Sequence, residues 1–212
     1  GTPLTKRVET VSWDPVAAAR GRYKHFMQKE IFEQPRSVTD VIRGRVDSEA
    51  GQVRLEGVPF SDEQVRRIRR IHAVACGTAW HAGLLGKFMI ERLAGIPVEV
   101  DYGSEFRYRD PLIDPDDLVL VITQSGETVD TLAAMEEARR KGVRTLSIVN
   151  VVGSQAARLA DGVIYLNAGP EIGVASTKAF TSMLVAQYLL AIFLSQGRRT
   201  LDAEMRRNLL QD

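Results

Sequence analysis

The stretch Leu118-Val-Leu-Val-Ile-Thr-Gln-Ser-Gly-Glu-Thr128 decides how the rest of the chain is read. From Leu118 to Ile122 it is apolar throughout and rich in branched side chains, too short for an amphipathic helix and suited to a strand buried on both faces. Such strands belong to parallel sheets. A helical pattern follows from Thr128 to Lys141, with Val129, Leu132, Ala133, Met135 and Ala138 on its apolar face and Arg139, Arg140 and Lys141 in its last turn, a charge order that suits the helix dipole. Between strand and helix, Thr123, Gln124, Ser125, Gly126 and Thr128 put hydroxyls and free backbone N–H groups at a helix N-terminus above the carboxyl edge of a sheet. That is a place for an anion, most often phosphate. Ordinary capping, with Ser125 as N-cap and Gly126 easing the turn, accounts for the same residues with nothing bound. Both readings fit this stretch taken alone.

Outward from there, strand and helix patterns alternate. Ile71 to Ala75 reads as strand, His81 to Ala94 as helix, Val98 to Val100 as strand, and a short helical turn lies near Glu105. After the central strand and its helix come Arg144 to Val149 as strand, Ser154 to Leu159 as short helix and Val163 to Leu166 as strand. Strands alternating with helices in this way make a doubly wound α/β sandwich with a five-stranded parallel sheet. A long loop, Asn167 to Ala175, leads into a helix from about Ser176 to Gln196 that Gly197 ends, and Leu201 to Leu210 begins another. Upstream, alternation around Val8, Val11 and Trp13 precedes a turn at Asp14-Pro15. Tyr23 to Gln34 is helical, Pro35 stops it, and Ser37 to Arg45 forms a second short helix. Gly51 to Gly57 carries little periodicity. Ser61-Asp-Glu-Gln64 has capping-box form and opens a helix running to about Arg70.

With 212 residues and 44% hydrophobic content the chain can bury a sizeable core. Lys plus Arg number 28 against 27 Asp plus Glu, a net charge of +1, so no bulk field points to nucleic acid or to an anionic membrane. One cysteine, Cys76, excludes an internal disulfide framework, and three scattered histidines give no metal-site spacing. No metal or cofactor is expected, and a cytoplasmic location is the default. The longest apolar run, Met183 to Leu194, is interrupted by Gln187 and too short to cross a bilayer, so it reads as a buried helix. The N-terminus lacks a signal-peptide layout.

Two more turns invite chemistry. Cys76-Gly-Thr-Ala79 ends the first strand, where Gly77 allows close backbone approach and Thr78 offers a hydroxyl; a bare strand end is the alternative. Cys76 as a nucleophile lacks a partner base that spacing would force near it. After Gly77 the next glycine is Gly83, which fails the dinucleotide fingerprint, and Gly83-Leu-Leu-Gly-Lys87 has Phe88 where a P-loop needs Ser or Thr. Glu171-Ile-Gly-Val-Ala-Ser-Thr-Lys178 enters a helix through Ser176 and Thr177, with backbone amides from Gly173 to Ala175 free for a ligand; capping by Ser176 competes with that reading. Lys178 is either a Schiff-base amine or a structural lysine paired with an acid such as Glu171. In a parallel sheet all three turns sit at the same carboxyl edge, around one small polyhydroxyl anion.

Cys76-Gly-Thr, Thr123-Gln-Ser-Gly-Glu-Thr128 and Glu171-Ile-Gly-Val-Ala-Ser-Thr-Lys178, in that order, resemble the sugar isomerase (SIS) domain family. Tyr23-Lys-His-Phe-Met-Gln-Lys-Glu-Ile-Phe-Glu-Gln-Pro35 is similar, more narrowly, to the segment that opens the isomerase half of the glutamine:fructose-6-phosphate amidotransferases, which make glucosamine 6-phosphate. The resemblance runs from about Val8 to Gly197. It implies that Thr78, Gln124, Ser125 and Thr128 hold the phosphate and nearby oxygens of fructose 6-phosphate or glucosamine 6-phosphate, with Cys76, Gly77 and Thr123 in the same loops. It implies too that the main chain at Val174 and Ala175, with Ser176, lines the sugar. Ala79 stands where many relatives have serine and is left out of the site.

The resemblance further implies that no catalytic residue lies in this chain. Ring opening, amination and proton transfer between C1 and C2 call for a carboxylate on a second SIS domain, a lysine on a C-terminal tail and ammonia from an N-terminal glutaminase domain. The chain begins at Gly1-Thr2 and stops at Asp212, so it reads as an excised piece: residues 1–20 a linker or the end of a glutaminase domain, 21–70 an N-terminal helical segment, 71–197 the SIS domain, and 198–212 the start of a linker helix. A homodimer is expected, as in the family. The alternative is a sugar-phosphate sensing module of a transcription regulator, which should carry a helix-turn-helix pattern and a basic face; neither is visible.

Overall fold

The segment that begins at Leu118 is a six-residue strand, Leu118–Thr123, buried at every position and set in the middle of a five-stranded sheet. The structure is a computed structural model that describes residues 18–211. The alternation around Val8, Val11 and Trp13 and the Asp14-Pro15 turn lie outside the described residues. In chain order the elements are α1 (Phe26–Ile42), β1 (Val46–Asp47), β2 (Gln52–Val53), α2 (Asp62–Arg67), β3 (Ile71–Ala75), α3 (Thr78–Ala94), β4 (Val98–Tyr102), α4 (Gly103–Tyr108) and β5 (Leu118–Thr123). They continue with α5 (Val129–Arg140), β6 (Arg144–Val149), α6 (Gln155–Leu159), β7 (Gly162–Tyr165), α7 (Lys178–Arg198) and α8 (Ala203–Gln211).

Sheet order is β4-β3-β5-β6-β7, parallel throughout, with Ile71 opposite Leu118 and Leu118 opposite Arg144 in the register. The doubly wound α/β expectation is met. Alternate residues of β5 serve two cores. Leu118, Leu120 and Ile122 join Ile90, Met183 and Leu190 of the layer holding α3 and α7. Val119 and Val121 join Phe106, Leu132, Met135 and Ala156 of the layer holding α4, α5 and α6. Strand order reverses direction between β3 and β5, so the crevice at their carboxyl ends is the topological switch point of the sheet.

The run Met183 to Leu194 lies inside a 21-residue helix whose length and composition would be enough to span a bilayer, which corrects the reading of it as too short. It is a core helix nonetheless, packed against α1, α2 and α3. Gly197 does not end it: a Cβ there would lie 2.9 Å from Val65, so glycine lets α2 approach, and the left-handed Arg199 (φ 60°) closes the helix instead.

Pro35 does not stop the first helix either; α1 runs through it. Proline leaves the Ile31 carbonyl without its usual N–H partner. Gln34 Nε2 donates to that carbonyl at 3.1 Å, and the helix continues. The capping box at Ser61 is present, with Gln64 N donating to Ser61 Oγ and Ser61 N to Gln64 Oε1. Its helix stops at Arg67 rather than Arg70, because Arg198 takes the carbonyls of Arg66 and Ile68 while Arg69 N bonds Asp116. Helix α3 opens at Thr78, three residues before the expected His81, and β4 extends to Tyr102. The antiparallel pair β1–β2, of which β2 lies in the stretch of weak periodicity and β1 just before it, is an addition to the expected elements; Gln196 of α7 serves β2 as a surrogate strand, bonding both the N–H and the carbonyl of Val53.

Candidate functional site

The crevice between β3 and β5 is built from three turns. At the first, Cys76 follows β3 and Gly77 adopts φ 58°, ψ −132°, a conformation open to glycine, which turns the chain directly into α3 with Thr78 in its first turn. At the second, Gly126 adopts φ 72°, and a Cβ there would lie 2.2 Å from Ser154 Oγ, so the turn rests flat on the start of α6. This turn is fastened from one side. Thr123 Oγ1 accepts from Gly126 N, Gly126 O from Ala156 N, and the Glu127 carboxylate from Gln155 N at 2.8 Å. Ser125 does not cap α5: its hydroxyl accepts from Glu127 N at 3.2 Å. The N-cap is Thr128, and its side chain makes no cap hydrogen bond. The hydroxyl most suited to capping is therefore not engaged in it.

The third turn is held by acids. Glu171 caps α7 in place of Ser176, accepting from Thr177 N at 2.9 Å, Ala179 N at 3.1 Å and Ser176 Oγ at 3.0 Å. Lys178 is a buried structural lysine, but its partner is Glu33 of α1 at 2.7 Å rather than Glu171. Lys29 bonds the same carboxylate at 2.9 Å. Burial pushes the Glu33 carboxyl up, yet the hydrogen bonds and charges of Lys178 and Lys29 outweigh it and hold the group below its ordinary range. The amide of Gly173, expected to be free, is taken by Glu30.

The three turns enclose a cavity of about 210 Å³. Cys76 and Thr78 line it from the first turn, Thr123, Gln124, Ser125 and Thr128 from the second, and Val174 and Ser176 from the third. Gly77 and Ala175 are not on its wall; they shape the turns that carry their neighbours. Ala79, Ile122, Thr131 and Met183 complete the lining. Of these, Thr131 was legible, one helical turn beyond Thr128 on the same face. Ile122 and Met183 read only as core. Larger clefts lie elsewhere, about 720 Å³ beside β7 and about 630 Å³ where α8 meets α3 and α7, both away from the switch point.

Among the described residues, the cavity wall holds no Asp, Glu, Lys, Arg or His. What it offers is hydroxyls, one amide side chain and the N-termini of two long helices, 17 residues for α3 and 12 for α5. Those dipoles favour an anion, while Arg92 and Arg139 and Arg140 offset the negative poles at their far ends.

The SIS domain family model matches residues 64–193, from α2 to α7. A glutamine–fructose-6-phosphate aminotransferase (isomerizing) of Symbiobacterium thermophilum is 54% identical over 202 residues, covering 95% of this chain and 33% of the relative. One from Thermus thermophilus is 46% identical over 212 residues, 100% of this chain and 34% of the relative. The chain thus spans about a third of the length of the curated relatives it matches. Among solved structures, the C-terminal domain of glucosamine-fructose-6-phosphate aminotransferase from Francisella tularensis superposes with a TM-score of 0.84 at 36% identity, covering 91% of this chain and 53% of that one. With its family match spanning the sheet and all three turns, the chain belongs to the SIS domain family.

Proposed function

We propose that this chain is the first SIS domain of a glutamine–fructose-6-phosphate aminotransferase and that its cavity binds the phosphorylated ketose or the amino-sugar product. The observation that carries the reading is the uncharged, hydroxyl-lined cavity at the switch point, under two helix N-termini. Thr78, Gln124, Ser125 and Thr128 hold the phosphate and adjacent oxygens, with Thr123 fixing the turn. Val174 and Ser176 border the sugar, with the main chain at Ala175 linking them. The similarity to aminotransferases from two organisms supports the choice of fructose 6-phosphate and glucosamine 6-phosphate.

In this reading residues 21–70 form an accessory helical segment, 71–197 the SIS domain and 198–212 a lead into further chain. The groups that open the ring, carry nitrogen and move the proton between C1 and C2 lie on a second SIS domain, a tail and a glutaminase domain. The assembled enzyme is a cytoplasmic homodimer; light scattering that shows only monomer at high concentration would remove the dimer from the proposal.

Calorimetric titration of the chain with fructose 6-phosphate, glucosamine 6-phosphate and unphosphorylated fructose, at one salt concentration, tests the binding role. Both phosphates are expected to bind and fructose is not. Equal binding of fructose would displace the anion from the centre of the reading, and binding of none would end it for this domain.

A further inference from the structure

The tip of the third turn, Ile172 to Ala175, has no hydrogen bond within its own loop among the described residues. The flanks are pinned internally. Asn150 holds one, accepting from Ala168 N at 3.0 Å and donating to the Gly169 carbonyl at 2.7 Å, and Glu171 ties the other to the start of α7. The tip is fixed instead by α1, some 140 residues earlier in the chain: Glu30 accepts from Ile172 N at 2.6 Å and from Gly173 N at 3.1 Å, separations of 142 and 143 positions. Glu30 is 1% exposed, and a buried carboxylate is costly unless paired or hydrogen-bonded. The two amides supply that partnership. The contact is close enough that a Cβ on Gly173 would fall 2.5 Å from Glu30 Oε2 and 3.4 Å from Met27 Cα. Farther along α1, Glu33 and Gln34 reach Lys178 and Thr181 of α7, which sets the helix against the base of the same turn.

We infer that α1 is a positioning element of the sugar side of the cavity, with Glu30 as the residue that sets the backbone of Val174 and Ala175 through the two amides before them. The inference rests on the reading that the cavity binds a sugar phosphate. It separates the two halves of that ligand. The phosphate turn, Thr123 to Thr128, takes its bonds from β6, α6 and its own residues, and none from α1. Freeing the third tip therefore lowers the fraction of molecules with a formed sugar wall while leaving the anion site intact, and apparent affinity falls with that fraction.

The test uses Glu30→Gln, which keeps the shape and one acceptor oxygen, and Glu30→Ala, each titrated with fructose 6-phosphate and with inorganic phosphate. Amide hydrogen exchange over 172–175 is followed without ligand. Glu30→Gln should bind fructose 6-phosphate about tenfold more weakly, the size of one weakened charge-assisted hydrogen bond, and Glu30→Ala more weakly still. Inorganic phosphate should bind both variants within about twofold of the parent, and exchange at the tip should quicken. Unchanged exchange in Glu30→Gln overturns the inference whatever the ligand does. So does an equal loss for phosphate and sugar phosphate, which would mark Glu30 as a general fold contact. If Glu30→Ala does not fold, Glu30→Gln carries the comparison. A parent chain that binds neither anion, with tip exchange still faster in Glu30→Gln, overturns the sugar-phosphate reading and leaves Glu30 as the residue that sets the tip.

Discussion

Thr128→Val tests whether the second turn binds an anion or merely caps a helix, because the two roles predict opposite results. Valine matches threonine in shape and removes one hydroxyl. That hydroxyl occupies the N-cap position of α5 but makes no cap hydrogen bond, and the contact that Thr131 Oγ1 makes at 2.8 Å goes to the Thr128 carbonyl, which the substitution keeps. Stability should therefore change by less than about 0.5 kcal/mol, the range of a surface substitution away from special features. Loss of a hydrogen bond to a charged phosphate should weaken binding by about 1.5 to 3 kcal/mol, or about ten- to a hundredfold. Urea unfolding measures the first quantity and calorimetric titration with fructose 6-phosphate the second. A capping role would instead cost about 0.5 to 2 kcal/mol of stability with affinity untouched. That pattern would refute the assignment of Thr128, and with it the use of helix α5 as an anion anchor.

Ser125→Ala should weaken sugar-phosphate binding as well, with a small stability loss for the bond to Glu127 N; unchanged affinity would remove Ser125 from the site. Lys178→Met leaves Glu33 with Lys29 alone and should destabilise the fold by about 2 kcal/mol, less than the 3–5 of a fully buried pair because Glu33 is partly exposed, as urea unfolding would show. Glu33 also gives the pH dependence a sign. Its folded pKa lies below the ordinary 4.5, so its stabilisation is complete above that value and fades as pH falls through the lower folded pKa. Acid unfolding of Lys178→Met should thus begin at higher pH than that of the parent. Gly126→Ala and Gly142→Ala share φ 72°, but only Gly126 meets Ser154, at 2.2 Å, while Gly142 has nothing within 4 Å. Both should lose about 1 kcal/mol to backbone strain, and Gly126→Ala more; equal losses by chemical denaturation would show that Ser154 gives way freely.

The sheet was legible because its strands are short, uniformly apolar runs separated by helical patterns, and that signal survives without tertiary information. β5 is the clearest case: its five aliphatic residues, Leu118 to Ile122, are divided between two cores, which is what a continuous apolar run without alternation means. The boundaries that failed did so where a distant side chain overrode a local rule. Pro35 is a helix stop by its own chemistry, but Gln34 satisfies the carbonyl it strands. Gly197 is a helix end by propensity, but Val65 presses on it from α2. The pair β1–β2 has two residues in each strand, too few for any period to show, and depends on Gln196.

The site divides along the same line. The turn from Thr123 to Thr128 is fixed by residues within itself and by β6 and α6 after it, so its place between strand and helix is legible locally, while its composition leaves anion binding and capping both open. The turn from Glu171 to Lys178 was found by composition but its acids were assigned wrongly, since the obvious partner for Lys178 lay seven residues away and the real one lies 145 positions upstream. Sequence proximity favours local pairs; burial favours whichever carboxylate the fold delivers without exposing it. α1 delivers three groups, Glu30, Glu33 and Gln34, within five residues of helix, all to the third turn or the helix it enters. A helix that lies outside the sheet and outside the matched SIS region thereby holds Ile172 and Gly173, the residues just before the wall residue Val174. On the proposed reading, the anion side lies wholly within the matched SIS region, whereas the sugar side is also held by α1, which lies outside it.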